Sequence, residues 1–163
     1  FIPDYHTERV TIFIRNGVYE EIVYFRNKAN ITFLGEDREK VVVKYANREV
    51  FNPHPANIST NEVKGTFPSR RAVFAVDNSS DIHIVNMTIR NTSVRAQAEG
   101  LLVNGEKNIV CNVNISGSGD ALQSNGSAYY QGCWTDGWGD VILGRGPAFF
   151  SHCHDQQTRS IHW

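Results

Sequence analysis

No charge of either sign dominates this chain. Sixteen Lys and Arg face seventeen Asp and Glu, and no block of like charge stands out. Neither a nucleic acid nor an anionic membrane is therefore an expected partner. Long apolar runs are missing too, which excludes a membrane-spanning helix. Helical periodicity is nearly absent, so a bundle or an α/β fold is not indicated. There is no leader pattern: Phe1 opens onto Ile2-Pro3-Asp4, which reads as a mature or trimmed boundary. Cysteine is scarce, with three residues in 163. Pairing Cys133 with Cys153 leaves Cys111 as a buried free thiol, and that arrangement implies an oxidising compartment, secreted or periplasmic. Three reduced core cysteines in a cytosolic protein is the alternative.

What the chain does have is a recurrence of short β-rich runs separated by Asn, Gly, Asp and Ser. Val10–Ile14, Ile31–Leu34, Val41–Val43, Ala72–Val76 and Ile82–Ile89 are five of them, followed by Ile109–Ile115, Tyr129–Trp134 and Phe149–His154. Many of their residues recur at an interval of twenty: Phe13 and Phe33, Gly117 and Gly137, Asp120 and Asp140, Cys133 and Cys153. A period near twenty means successive turns of a stacked chain, with equivalent residues one above the other. Met87, Val113, Cys133 and Cys153 share one inward register, and Asn91, Gly117 and Gly137 then share a turn at positive φ. A β-sandwich also has short strands and Gly-rich turns, but it does not keep side-chain identity in step at twenty residues. The fold expected is all-β, a parallel β-helix, in a single domain covering residues 1–163. Stacked strands about 4.8 Å apart satisfy the Cα separation of a Cys133–Cys153 bridge. The stretch from about 47 to 71, with Pro53, Pro55 and Pro68, reads as a loop leaving the coil. Its Lys64, Arg70 and Arg71 either meet an acidic polymer or are simply solvated.

The aspartates at 120 and 140 carry the chemistry. One strand spacing apart, about 5 Å, at an effective dielectric of about 20, two carboxylates repel by roughly 3 kcal/mol, or about two pK units. One stays ionised while its neighbour holds a proton near neutral pH. That division suits acyl transfer through a carboxylate nucleophile and an acid that later serves as base. The amide of Gln97, about one coil before Asp120, is placed to meet an oxyanion. Paired carboxylates about 5–5.5 Å apart also hydrolyse glycosides with retention. Aspartates beside glycine also commonly do no more than cap turns. His152 and His154 share one face of an extended strand without a second cluster, so no metal is expected. Seven Asn-x-Ser/Thr sequons (Asn30, Asn57, Asn78, Asn86, Asn91, Asn114 and Asn125) are mostly explained by Asn-rich turns.

Four segments resemble motifs of the pectin methylesterases of carbohydrate esterase family 8. Gly17-Val18-Tyr19-Glu20-Glu21 resembles Gly-x-Tyr-x-Glu, and Gln97-Ala98-Glu99-Gly100-Leu101 resembles Gln-Ala-Val-Ala-Leu. Gly119-Asp120-Ala121-Leu122 resembles Gln-Asp-Thr-Leu, and Asp140-Val141-Ile142-Leu143-Gly144 resembles Asp-Phe-Ile-Phe-Gly, with flanking cysteines as in bacterial members. The resemblance implies a right-handed parallel β-helix, here a partial domain, that removes methyl esters from polygalacturonate. It implies Asp140 as nucleophile, Asp120 as acid then base, and Gln97 as oxyanion donor, with no cofactor. The expected partner is methyl-esterified galacturonan, bound by a monomer. Tyr130, Trp134 and Trp138 would line the sugar cleft, one of them at least packing in the stack instead, and Arg145 would add positive charge near Asp140. In three places the chain departs from the family pattern. The family's second oxyanion glutamine falls on Gly119, with Gln123 on the strand just beyond. The later Leu-Gly-Arg-Pro-Trp motif is not in these residues, and Val141 and Ile142 replace an aromatic-rich consensus.

Overall fold

A computed structural model of the chain describes residues 1–48 and 71–157. The expected loop at about 47–71 lies mostly outside the described residues, and so do Lys64 and Arg70. Alternating β-branched and aromatic residues form strands throughout. The first coil holds β1 (Val10–Ile14), β2 (Gly17–Glu20) and β3 (Val23–Arg26), and the second β4 (Ala29–Gly35), β5 (Val41–Tyr45) and β6 (Phe74–Asp77). The third has β7 (Ser80–Asn91) and β8 (Leu101–Val103), the fourth β9 (Asn108–Ser116) and β10 (Leu122–Ser124). Then come β11 (Ala128–Gln131), β12 (Trp134–Gly137) and β13 (Ile142–Gly144), with β14 (Ala148–Ser151) and β15 (His154–Gln157) beginning another coil. Every strand pairs in parallel with its counterpart in the next coil, giving a β-solenoid of about five turns.

The strands hydrogen-bond into a sheet of ten and a sheet of five. The larger sheet is bent into two faces. The first halves of β7 and β9 pair with β4 and β11, and their second halves with β5 and β12. The bend is a stack of left-handed residues: Asn86 (φ 56°), Asn112 (φ 55°), Gly132 (φ 61°) and His152 (φ 53°). Asparagine tolerates this backbone, and the Asn112 amide also donates to Asn86 Oδ1 at 2.8 Å. Asn30 and Asn78, two more sequon asparagines, adopt the same conformation. The sequence reading placed the positive φ at Asn91, Gly117 and Gly137, where none occurs. Glycine is required at 117 for space instead, because a Cβ there would lie 2.6 Å from the Ala98 carbonyl oxygen.

Inward side chains form continuous columns. Ile12, Phe33, Ile84, Val110, Tyr130 and Phe150 stack in register on one face. Val23, Phe74, Leu101, Leu122 and Ile142 stack on the five-stranded sheet. Met87 pairs with Val113, and the flanking pairs Trp134↔Asn114 and Trp134↔His154 continue that column through Cys133 and Cys153, as the sequence register anticipated. The lowest coils are off by one: Phe33 sits over Ile12, not Phe13, so Phe33 is buried and Phe13 is 56% exposed. A single-residue slip exchanges the two faces of a strand.

The expected disulfide is not formed, and Cys111, Cys133 and Cys153 are all free thiols. Stacking in register keeps the two Cβ atoms about 4.8 Å apart, beyond the range of about 3.5–4.5 Å that a bridge needs. Both thiols also lean the same way, Cys133 Sγ donating to Val110 O at 3.4 Å and Cys153 Sγ to Tyr130 O at 3.5 Å. Burial pushes the Cys133 thiol up to about 12, so it stays protonated. The cysteines therefore say nothing of an oxidising compartment. Among the described residues no helix is long and apolar enough to cross a membrane.

Candidate functional site

Asp120 and Asp140 precede β10 and β13, which pair Leu122 with Ile142. Leu122 N donates to Val141 O at 3.0 Å, and Gly139 packs on the backbone of Gly119. The two aspartates thus occupy the same station on successive coils. Their surroundings differ sharply. Asp120 is 6% exposed, whereas Asp140 is open to solvent. Burial holds the Asp120 carboxyl above its ordinary value, the Arg71 guanidinium pulls it down and Asp140 pushes it up. The charge of one aspartate is felt by the other.

Gln97 is brought to the same place. Ala98 and Ser118 exchange two backbone hydrogen bonds of 2.9 and 3.1 Å, which sets Gln97 beside Gly119. Gly119 has φ +83°, and a Cβ there would lie 2.9 Å from Ala96 O, so a second glutamine has no room at this position. Gln123 does not replace it, because its amide is turned to Asn125 Oδ1 at 3.4 Å. Gln97 Oε1 accepts from Arg71 Nη1 at 2.8 Å. Arginine can only donate, so the oxygen of that amide faces inward and its NH2 faces out.

The sequence reading missed what lies beneath. Arg71, expected on a loop either meeting an acidic polymer or simply solvated, is instead 7% exposed and turned inward, and Glu99 is fully buried. Arg71 Nε donates to Glu99 Oε2 at 3.0 Å and Nη2 to Oε1, a bidentate ion pair, while Nη2 also lies 3.6 Å from Asp120 Oδ2. Burial raises the Glu99 carboxyl and the arginine opposes that rise. Removing one partner of such a pair costs about 3–5 kcal/mol. Asn91 fixes the backbone around it, its amide donating to Asn47 O, Arg71 O and Glu99 O at 2.8, 3.0 and 2.9 Å. A signal was available: a glutamate between Ala98 and Leu101 on an inward strand start demands a buried cation.

A cleft of about 650 Å³ runs up to Gly117 and Ser118, just ahead of Asp120, and is walled by Trp134, Trp138, Arg38 and Arg90. Trp134 and Trp138 are 41% and 40% exposed, and Trp134 stacks on His154 with centroids 4.0 Å apart. Tyr130 is not a cleft residue. It is fully buried, its hydroxyl donates to Ser124 Oγ at 2.9 Å, and its ring stacks on Phe150 at 4.6 Å. Arg145 lies past the far end of β13 from Asp140, where its N–H donates to Ser124 O at 3.1 Å, and it is not brought to the aspartates. Among the described residues no three His, Cys, Asp or Glu side chains converge as a metal site would require.

The whole chain has relatives. The family model described as Pectinesterase matches residues 1–162. Pectinesterase 1 of Olea europaea is 33% identical over 153 residues, 91% of this chain and 40% of that protein. Among solved structures, pectin methylesterase PemA from Erwinia chrysanthemi superposes with a TM-score of 0.80 at 21% identity, over 99% of this chain and 50% of that one. A pectin methylesterase in complex with a hexasaccharide does so with the same score and coverage. The first curated relatives are spanned over 27–49% of their length. With a solenoid that superposes on these structures and a family model that takes in nearly every residue, the chain belongs to the pectinesterase family.

Proposed function

We propose that this chain carries the reacting aspartates of a carboxylic-ester hydrolase that removes methyl esters from polygalacturonate. The observation that carries this reading is the split environment of the pair: Asp120 enclosed and biased toward its protonated form, Asp140 exposed one coil above. Asp140 attacks the ester carbonyl, and the tetrahedral oxyanion accepts a hydrogen bond from the outward NH2 of Gln97. Collapse breaks the bond to the methoxyl group, which takes the proton of Asp120 and leaves as methanol. Asp120 then takes a proton from water. The hydroxide adds to the galacturonyl carbonyl of the acyl intermediate, Asp140 departs as carboxylate, and the product acid ionises in solvent. Trp134 and Trp138 offer flat faces for sugar rings, and Arg38 and Arg90 suit the carboxylates of a polyuronide. The hexasaccharide held by a related pectin methylesterase supports a polysaccharide ligand. On this reading the protein works outside the cytoplasm, secreted or periplasmic, as a monomer without metal or cofactor.

The test is release of methanol and of reducing ends from highly esterified pectin by the full-length protein. Methanol alone, lost in Asp140→Asn, is expected. Reducing ends without methanol would make it a glycoside hydrolase, and neither product would leave a polysaccharide-binding β-helix.

A further inference from the structure

The reaction as written leaves Arg71 and Glu99 unused, although they form the most enclosed ion pair among the described residues. A buried pair of this kind is poor evidence of stability, since apolar side chains of similar volume often serve a core as well. Its position is more informative than its existence. The guanidinium has one side spent on Glu99, through Nε and Nη2, and its remaining reach directed at the site, through Nη1 to Gln97 Oε1 and Nη2 toward Asp120 Oδ2. Asn91 holds the backbone carbonyls of both Arg71 and Glu99, so the arginine is fixed at main chain and at side chain.

We propose that Arg71, clamped by Glu99, is a positioning residue for both halves of the reaction: it turns the Gln97 amide so that its NH2 faces the reacting carbonyl, and it sets a fixed positive charge against the Asp120 carboxyl. This inference rests on the esterase reading above. The first role needs a donor-only group, because an acceptor at this place would flip the amide and present an oxygen to the oxyanion. The second opposes two influences, burial and the charge of Asp140 one coil above, both of which favour the protonated carboxyl, whereas the reaction also needs Asp120 to give up its proton. Asp120 is faced by Arg71 from the segment before β6, by Asp140 from the following coil and, behind the arginine, by Glu99 from the coil beneath. A lysine would keep the charge but lacks the planar fork that bridges carboxylate and amide together.

The experiment uses the full-length protein with the double substitution Arg71→Met, Glu99→Leu, which removes the pair without stranding a buried charge, beside the single Arg71→Lys. Both are checked for cooperative thermal unfolding. Esterified pectin should be turned over about a hundred-fold more slowly by the double variant, with KM within about three-fold of wild type. A cation beside a carboxylate favours its ionised form. Loss of the cation therefore moves the alkaline limb of kcat/KM, and the 13C titration of the Asp120 carboxyl, to higher pH. Arg71→Lys should keep the limb near its original place while kcat stays depressed. Should the double variant not fold, a Lys variant with wild-type kcat still overturns the proposal. So does a folded double variant with unchanged kcat and limb, or one altered in KM alone. An Asp120 titration that does not move overturns the charge role whether or not methanol is released. A wild-type protein that releases no methanol, yet shows the shifted titration, defeats the esterase reading and leaves that role standing.

Discussion

Two stations one coil apart carry the same side chain in opposite settings. At Asp120 the coil below supplies Gln97 and Glu99, a buried arginine closes the side, and the next coil lies on top. At Asp140 the same approach to a strand, with a glycine just before it, leaves the carboxylate exposed. The backbone repeats between the two stations, and among the described residues β13, which follows Asp140, is the edge strand of its sheet. On the proposed reading, burial at Asp120, opposed by Arg71 and reinforced by Asp140, is what separates an acid from a nucleophile.

Replacing each member in turn breaks that comparison most severely. Asp140→Asn should lower methanol release by about ten-thousand-fold or more, because among the described residues no other exposed carboxylate stands at that station, and assays of esterified pectin check it. Asp120→Asn should cost about a hundred- to ten-thousand-fold and abolish the alkaline limb of the pH profile, since the titrating acid is gone. The same substitution should also change stability with a definite sign. A carboxyl held above its ordinary value in the folded state binds protons more tightly there than in the unfolded chain. It therefore weakens the fold as pH rises through the ordinary aspartate value and on to the raised one. Asp120→Asn should accordingly raise Tm at neutral pH, and the gain should vanish below the ordinary aspartate range. A Tm gain that persists in acid would contradict the assigned environment.

A smaller loss sharpens the oxyanion assignment. Gln97→Ala should reduce kcat about a hundred- to thousand-fold with KM nearly unchanged, as single-turnover kinetics would report. Smallest of all is Tyr130→Phe, which removes the hydrogen bond to Ser124 from the stack at a cost of about 1 kcal/mol, measured by denaturant unfolding, and leaves KM for pectin untouched.

Stacking was legible in the sequence wherever a residue and its successor kept the same coil length. Asp120 over Asp140 and Cys133 over Cys153 are spaced by twenty residues, and their columns exist. The interval misled where coil length changed by one, at Phe13, because twenty was extended to coils that use twenty-one. Tyr130 was read as a cleft residue because its ring suits sugars. In strand β11 the alternation sends it inward and its neighbour Tyr129 outward, a parity that the run Tyr129-Tyr130 alone does not declare. The disulfide was argued from Cα separation, and Cβ direction decides it. Arg71 was the costliest omission. A cation next to a Pro-rich stretch looks solvated, and only the fold brings it under Glu99, which stands twenty-eight residues further along the chain.

The most direct measurement follows the 13C shift of the Asp120 carboxyl against pH in the wild-type protein and in Asp140→Asn. Asp120 should titrate above the ordinary aspartate value in the first. In the second it should move part of the way back, burial alone holding it up. An Asp120 that titrates near 3.9, the ordinary value, or that is indifferent to the loss of charge at position 140, would contradict the coupling of the two coils on which the account depends.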